Sequence, residues 1–253
     1  MLQALQSRAA TFVALRRDLH RHPELGLQEF RTSDLIAARL AEWGYTVHRG
    51  IAGTGLVGQL LRGTGTRRLG LRADMDALPI QEENHFAHAS RHTGVMHACG
   101  HDGHTAILLA AAQHIAESVD FSGTLNLIFQ PAEEHPGGAK IMIDDGLFER
   151  FPCDAVFALH NMPGHPAGHF VFREGATMAS SDDVTITLNG QGGHGAMPHK
   201  AHDVVVAASS IVMALQTIVS RNVDPLQTAV ITVGAFNAGQ ANNVIPARAK
   251  LAL

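Results

Sequence analysis

The residues best suited to do chemistry in this 253-residue chain lie in one segment, GVMHACGHDGHTAILLAAAQHI, at residues 94–115. Cys99 and His101 are two residues apart, so in an extended segment both side chains point the same way. Apolar residues at helical spacing follow, and a position just before a helix lowers the pKa of a thiol. Because thiolate and neutral imidazole bind zinc and similar ions, the segment predicts a metal site. Spacing alone leaves two alternatives: a buried cysteine beside helix-capping histidines, or a cysteine nucleophile with a histidine base.

Two further clusters follow predicted apolar strands. Glu133 and Glu134 come directly after a strand and a proline in FQPAEEHPGG, and His160 ends another strand in FALHNMPGH. Adjacent side chains of an extended segment face opposite ways, so one glutamate can bind a metal while the other faces a substrate. Paired glutamates and a lone strand-end histidine are also common without a metal. Because ligands bind at strand ends in open α/β sheets, the clusters together predict one divalent-metal site.

Supporting groups are predicted in three other segments. Asp74 and Asp76 follow a strand in LRADMDALP, where either can accept the free N–H of a metal-bound histidine or cap a turn. The glycine-rich GQGGHGAMPH presents His194 on a flexible loop, with a solvated hairpin as the alternative. GQANNVIP contains Asn243, which can bind a carboxylate or carbonyl but is also of a type common in turns.

Two kinds of structural pattern must position these residues. Helical periodicity covers residues 3–22, 31–42, 102–118, 137–146 and 202–221. Strands are predicted at 45–50, 55–61, 68–73, 123–130, 153–160 (buried), 168–174 (an edge strand), 182–190, 226–236 and 247–253. The first part alternates strands and helices and indicates an α/β sandwich, and the second indicates an α+β layer. We therefore predict a metal-binding domain over 1–179 and a smaller domain over 180–253.

Composition excludes several partner classes. The net charge of −4 gives no basic surface for nucleic acid. No apolar run approaches the roughly 18 residues that a membrane helix needs, and the amphipathic N-terminus does not resemble a signal peptide. The two cysteines, Cys99 and Cys153, form no disulfide framework, so we expect a protein of the reducing cytoplasm.

The motifs RADMDALP, MHACGHDGH, FQPAEE, GGA, LHNMPG, GGHGAMPH and NVIP occur in this order. Together they resemble the metal-dependent amidohydrolases that include hippurate hydrolase, bacterial N-acyl-amino-acid hydrolases and plant auxin-conjugate hydrolases. These belong with aminoacylase and glutamate carboxypeptidase in one metallopeptidase family. The resemblance spans the whole chain. It implies an α/β sandwich catalytic domain with an inserted α+β domain, of a four-stranded sheet and two helices, that commonly makes the dimer.

The resemblance also implies a role for each matching residue. The implied metal ligands are Cys99, in the bridging position, with His101, Glu134 and His160. The other implied roles are Glu133 as general base, Asp76 as the carboxylate beside the metal, His194 as the group that steadies the substrate carbonyl or its oxyanion across a dimer, and Asn243 as a substrate contact.

The activity implied is hydrolysis of the amide bond of N-acyl amino acids, hippurate-like substrates included, by a metal-activated water. Two divalent ions per subunit are implied, Mn²⁺ or Zn²⁺, with Co²⁺ and Ni²⁺ also compatible, in a homodimer or homotetramer. Family members continue beyond the last residue here and supply a fifth ligand, a histidine, so we expect a C-terminally truncated chain. Two alternatives stay open: an inactive fragment that serves only for binding or dimerisation, and a hydrolase with Cys99 as nucleophile.

Overall fold

The computed structural model describes residues 2–253, which form two compact units divided between Ala167 and Gly168. The helices of the first unit are Leu2–Gln6 (α1), Ala9–Arg21 (α2), Phe30–Glu42 (α3), His101–Ser118 (α4), Gly138–Asp144 (α5) and Leu147–Arg150 (α6). Its strands are Thr46–Ile51 (β1), Gly55–Arg62 (β2), Arg68–Asp74 (β3), Gly123–Gln130 (β4) and Ala155–Ala158 (β5). Strands and helices therefore combine as the predicted α/β class requires.

The five strands form one mixed sheet in the order β1-β2-β4-β3-β5. Strands β1, β2 and β4 pair antiparallel, whereas β3 runs parallel to both β4 and β5. Because parallel strands end at the same edge, the segments after β3, β4 and β5 meet there. Asp74 is the last residue of β3, and the segments after β3, β4 and β5 carry Asp76, the paired glutamates and His160, respectively.

Both faces of this sheet are covered around β4. Leu127 and Phe129 are fully buried and pack with residues of α3 and α4, while Ile128 packs with Met142 of α5 on the other side. This alternation follows from the twofold period of a strand, and an apolar run is what a strand covered on both faces requires. Each such side chain contributes roughly 1.5–3 kcal/mol when fully buried. The covered sheet thus gives the polar groups at its edge a rigid support.

The strand β5 differs from its prediction as a buried strand over 153–160. It is only four residues long and all four are exposed, Phe157 at 61%. It pairs with β3 alone, and no element in residues 2–253 is paired with its other edge. The edge strand predicted at 168–174 is also wrong, because this segment joins no ladder. Its Phe170 and Phe172 instead stack on one another while exposed.

The second unit is built on a small antiparallel sheet. Its elements are Thr185–Asn189 (β6), Gly193–His194 (β7), Val204–Thr217 (α7), Ala235–Ala238 (β8), Val244–Ile245 (β9) and Arg248–Ala252 (β10). The order is β6-β10-β8, with β7 and β9 paired separately. Residues 226–234, predicted as strand, lie outside β8. The resemblance implies four strands and two helices, and this unit has three strands in its main sheet and one α-helix, so the remaining elements stay predictions.

The helix α7 covers one face of that sheet. Asp203 caps its N-terminus by accepting hydrogen bonds from the backbone N–H groups of Val205 and Val206. Val204 and Ala208 are buried against the sheet. The stretch Val204–Asn222 is long and apolar enough to span a membrane by length and composition, with a mean hydropathy of 1.7. The expectation that no apolar run approaches this length is therefore wrong, and the absence of a membrane partner stays a prediction.

Candidate metal centre

The turn into α4 depends on a glycine. Gly100 has a φ of 92°, a left-handed conformation that other residues rarely adopt, and it immediately precedes the helix. A Cβ atom at this position would lie 2.5 Å from the side-chain oxygen of Asn161. The glycine therefore allows the chain to turn and lets the loop after β5 approach. It places Cys99 and His101 on the two sides of the turn.

His101 is fully buried and presents one nitrogen to a polar pocket. Its Nδ1–H donates to Asp76 Oδ1 at 3.2 Å, and Asp76 Oδ2 accepts the backbone N–H of Glu134 at 3.0 Å. Asp76 therefore fixes both the imidazole ring and the glutamate loop. This leaves His101 Nε2 buried and without a hydrogen-bond partner.

Acidic oxygens surround that unpaired nitrogen. Its nearest carboxylate oxygens belong to Asp74 at 3.7 Å and to Glu133 and Glu134, each at 3.9 Å. A buried lone pair facing several carboxylates is costly unless a cation lies between them. The donor set at this edge thus fits a divalent metal ion.

The loop after β5 brings His160 to the same place. Its Nε2 lies 3.4 Å from Cys99 Sγ, and its Nδ1–H donates to the carbonyl oxygen of Asn161 at 2.6 Å. Donor atoms of Cys99, His101 and His160 all lie within 4.8 Å of one another. Ligands bound at about 2.0–2.3 Å around one tetrahedral ion are roughly 3–4 Å apart, so the spacing fits such an ion.

The local charge acts on the Cys99 thiol. Burial raises its pKa, and the neighbouring Glu134 and Glu133 carboxylates raise it further, to about 12. The expectation that the helix N-terminus lowers this pKa is therefore wrong for the chain without a bound cation. Here the desolvation and the carboxylates outweigh the helix dipole, whose effect is small.

The pKa shifts of His101 and Asp74 reflect the charged groups around them. Burial lowers the pKa of His101, but the hydrogen bond to Asp76 and the charge of Asp74 outweigh it, so the pKa is raised. Burial raises the pKa of Asp74, but the hydrogen bond from His104 and the charge of Arg72 lower it to about 2. Asp74 is therefore ionised at neutral pH and adds to the charge that a cation would balance.

The loop that carries the paired glutamates is anchored by a distant carboxyl group. Ala132 has a φ of 49°, uncommon for a residue with a side chain. Its backbone N–H donates to Glu29 Oε1 at 2.8 Å, and the Thr54 hydroxyl donates to Glu29 Oε2 at 2.5 Å. Sequence reasoning missed Glu29, because nothing in HPELGLQEF indicates a contact 103 residues away.

The structure brings together the predicted residues of the first unit. These are Asp76, Cys99, His101, Glu133, Glu134 and His160. The two predicted residues of the second unit are also neighbours, since His194 pairs with Val244 and the N–H of Gly195 donates to the Asn243 carbonyl at 2.8 Å. The functional roles assigned to all these residues stay predictions.

Comparison with known proteins identifies the family. The sequence profile of Peptidase family M20/M25/M40 matches residues 70–245. The chain belongs to this family. It is 54% identical over 235 residues to "Hippurate hydrolase" of Campylobacter jejuni, covering 93% of this chain and 61% of that protein. It is 46% identical over 243 residues to "N-acetyldiaminopimelate deacetylase" of Anoxybacillus flavithermus, covering 95% and 64%. The predicted family is thereby confirmed.

A solved family structure also matches this chain. The crystal structure of the Bacillus subtilis YXEP protein, described as a dinuclear metal binding peptidase from the M20 family, superposes with a TM-score of 0.72 at 34% identity. The match covers 99% of this chain and 64% of that one. The fold class is thus confirmed as that of the family. This chain spans less than two thirds of the length of these relatives.

Proposed function

We propose that this chain carries the metal centre of an amidohydrolase that cleaves the amide bond of N-acyl amino acids. The observation that carries the proposal is the buried, unpaired Nε2 of His101 among three carboxylates. The names of the two curated relatives, a hippurate hydrolase and an N-acetyldiaminopimelate deacetylase, support this class of substrate.

Four residues would hold the metal. They are Cys99, His101, Glu134 and His160. The Bacillus subtilis YXEP relative, described as a dinuclear metal binding peptidase, supports two neighbouring ions, of which His101 Nε2 can bind one, because its Nδ1–H donates to Asp76. The ligand set is compatible with Mn²⁺, Zn²⁺, Co²⁺ or Ni²⁺. When bound, a divalent cation lowers the pKa of water and polarises an acyl carbonyl.

Glu133 is the proposed general base. Its side chain is 40% exposed, against 27% for the adjacent Glu134, so it is the more accessible of the pair. Glu133 would take a proton from the attacking water at Oε2 and return it to the leaving nitrogen of the amide, which is general acid–base catalysis. Glu134 is the less exposed of the pair and is the proposed metal ligand.

His194 is the proposed donor to the substrate carbonyl. Its Nδ1 accepts the backbone N–H of Ala196 at 3.1 Å, so the ring proton is at Nε2. That N–H is on an exposed side chain, free to stabilise an oxyanion. The neighbouring Asn243 would contact the substrate. We place this pair in a homodimer or homotetramer, and the exposed apolar side chains of α7, such as Val206 and Met213, support a subunit interface.

The proposed compartment is the cytoplasm. Cys99 and Cys153 are both free, which is consistent with a reducing environment.

A rival mechanism makes Cys99 a nucleophile, because its 3.4 Å contact with His160 has the geometry of a nucleophile–base pair. The high pKa of the Cys99 thiol disfavours this rival, because the thiolate is the nucleophile.

The test is hydrolysis of a panel of N-acyl amino acids, hippurate and N-acetyl amino acids among them, by the intact protein. We expect a chelator to abolish turnover and Mn²⁺, Zn²⁺ or Co²⁺ to restore it. Turnover that survives chelation but is lost on thiol alkylation would establish the cysteine mechanism. Metal binding with no turnover on any substrate would favour a binding module.

A further inference from the structure

His104 is a second buried histidine at this site, one helical turn after His101 on α4. It is 2% exposed, and its donor atoms lie within 4.8 Å of those of Asp74 and His101. The proximity alone suits either a further metal ligand or a residue that supports the ligands. The hydrogen bonds to its two ring nitrogens distinguish these possibilities.

The first nitrogen is bound to a carboxylate. His104 Nδ1 lies 2.6 Å from Asp74 Oδ1, and the other oxygen of Asp74 accepts from Arg72 at 2.8 Å. The Asn161 backbone N–H donates to the other ring nitrogen, so the ring proton lies on His104 Nδ1 and is donated to Asp74. This contact fixes the ring orientation, as carboxylate partners do for metal-bound histidines.

The second nitrogen is bound to backbone. The N–H of Asn161 donates to His104 Nε2 at 3.0 Å, so this nitrogen is unprotonated. The Asn161 side-chain amide also contacts Nε2. A backbone N–H cannot become an acceptor, whereas the amide can turn to offer its nitrogen, so the backbone contact sets the tautomer. Both nitrogens of His104 are therefore occupied within the protein.

Asn161 lies next to a proposed ligand. His104 holds its N–H group, and the Nδ1–H of His160 donates to its carbonyl oxygen. The rings of His104 and His160 also meet edge to face, with centroids 4.6 Å apart. Strand β5 ends at Ala158, so no ladder holds the backbone of this segment. The contacts from His104 are thus well placed to fix it.

We propose that His104, oriented by Asp74, is a positioning residue that aims His160 at the metal and does not itself bind the metal. This inference rests on the proposed metal centre. The lone pair on His104 Nε2 is the decisive feature for metal affinity, because it accepts the Asn161 backbone N–H and so holds the segment that carries His160. A replacement of His104 that keeps an acceptor at the position of Nε2 should preserve metal affinity. A replacement that keeps only the hydrogen bond to Asp74 should weaken it.

Two amide replacements separate these features. The asparagine amide in His104→Asn overlies Nδ1 and can still donate to Asp74, but it leaves nothing at Nε2. The longer glutamine in His104→Gln places its amide oxygen near Nε2 and can accept from Asn161. The matched control is His114→Asn, because His114 lies on the same helix and is only half-buried.

The measurement is Co²⁺ titration of the intact protein, followed by its visible absorption, with circular dichroism as the check on folding. We expect His104→Asn to weaken Co²⁺ binding by about 10- to 100-fold, the range typical for a ligand's supporting partner. His104→Gln should bind at least about tenfold more tightly than His104→Asn. His114→Asn should match the wild type. Equal affinities in the two His104 variants would overturn the inference.

A second readout needs no variant. In wild-type protein with ¹⁵N-labelled histidine, added Zn²⁺ should shift the Nε2 resonances of His101 and His160, whereas His104 should keep its proton on Nδ1. A metal-induced shift at a His104 nitrogen would make it a ligand and overturn the inference. A wild type that binds neither ion would overturn the metal centre itself, and the inference with it.

Discussion

The histidines for which we propose functional roles are held in opposite ways in the two units. His101 and His104 in the first unit are buried, and their hydrogen-bond partners come from β3, its following loop and the segment after β5. His194 in the second unit is exposed, and the hydrogen bond to its ring comes from Ala196, two residues along the chain. In the first unit, hydrogen bonds from several segments at one edge of the sheet fix the orientation of the imidazole rings. The hydrogen bond from Ala196 fixes only the tautomer of His194, while its backbone pairs with Val244 in a two-stranded ladder and does not lie on the predicted flexible loop.

The comparison predicts that the first unit binds the metal without help from His194. His101→Ala should weaken metal binding by at least about a thousandfold, because a lost ligand costs more than a lost supporting partner, worth about 10–100-fold. His194→Ala is the matched replacement in the second unit and should leave affinity unchanged. Isothermal titration with Zn²⁺ measures the affinity of both variants. A comparable loss of affinity in the two would contradict the claim that the first unit binds the metal without His194.

Turnover should reveal what the exposed histidine does. His194→Ala should lower kcat by about 10²–10³, as when a transition-state donor is removed, with metal content unchanged. Mixed dimers of His194→Ala and Glu133→Gln subunits should recover activity if His194 acts on the neighbouring subunit. Verified mixed dimers that stay inactive would place its action within its own chain, or nowhere.

The link between the buried histidine and the glutamate loop can be weakened without removing a ligand. Asp76→Ala removes the acceptor for both His101 Nδ1–H and the Glu134 N–H. We expect metal affinity to fall by about 10–100-fold. Asp154→Ala is the control, since Asp154 accepts from Arg68 at the opposite end of the sheet. If both variants bind alike, Asp76 does not organise the centre.

The smallest predicted effect is a pH dependence of folding stability that arises from Glu29, which anchors the glutamate loop. Burial raises the pKa of Glu29 above 4.5, its hydrogen bonds from Thr54 and Ala132 oppose this only in part, and the charge of Asp76 adds to it. The folded state therefore favours the protonated form. The stabilisation is fully present below pH 4.5 and is lost as pH rises through the folded-state pKa.

Glu29→Gln does not titrate and keeps an acceptor for the Ala132 N–H. Its stability relative to the wild type should therefore rise with pH above 4.5, which urea unfolding at several pH values measures. Glu29→Ala removes the acceptor and should lose about 1–3 kcal/mol at every pH. Parallel stability curves for wild type and Glu29→Gln would show that Glu29 does not titrate in this way.

The positions of site residues that lie next to the ends of strands and helices are predictable from the sequence. Cys99, the paired glutamates and His160 each follow or precede a regular element, so topology alone brings them to one edge. Supporting contacts are not predictable in this way, because Glu29 and His104 reach partners 103 and 57 residues away. Their partners are backbone N–H groups, which leave no mark in the residue types.

The exposure of β5 was also beyond prediction. An apolar run such as AVFA indicates a covered strand, but cover depends on which elements pack beside it. In residues 2–253 this strand pairs with β3 alone. Hydrophobic pattern therefore identified the strand but not its surroundings, whereas β4, between two strands and two helical layers, matched its prediction.

The adjacent pair Glu133 and Glu134 allows the most direct test of the metal centre and its base. Metal content and turnover would be measured together in Glu133→Gln and Glu134→Gln, two isosteric changes one residue apart. We predict that Glu133→Gln keeps wild-type metal content and loses at least about 10² in kcat, while Glu134→Gln loses metal affinity. Retained turnover in Glu133→Gln, or equal metal content in both variants, would contradict the account.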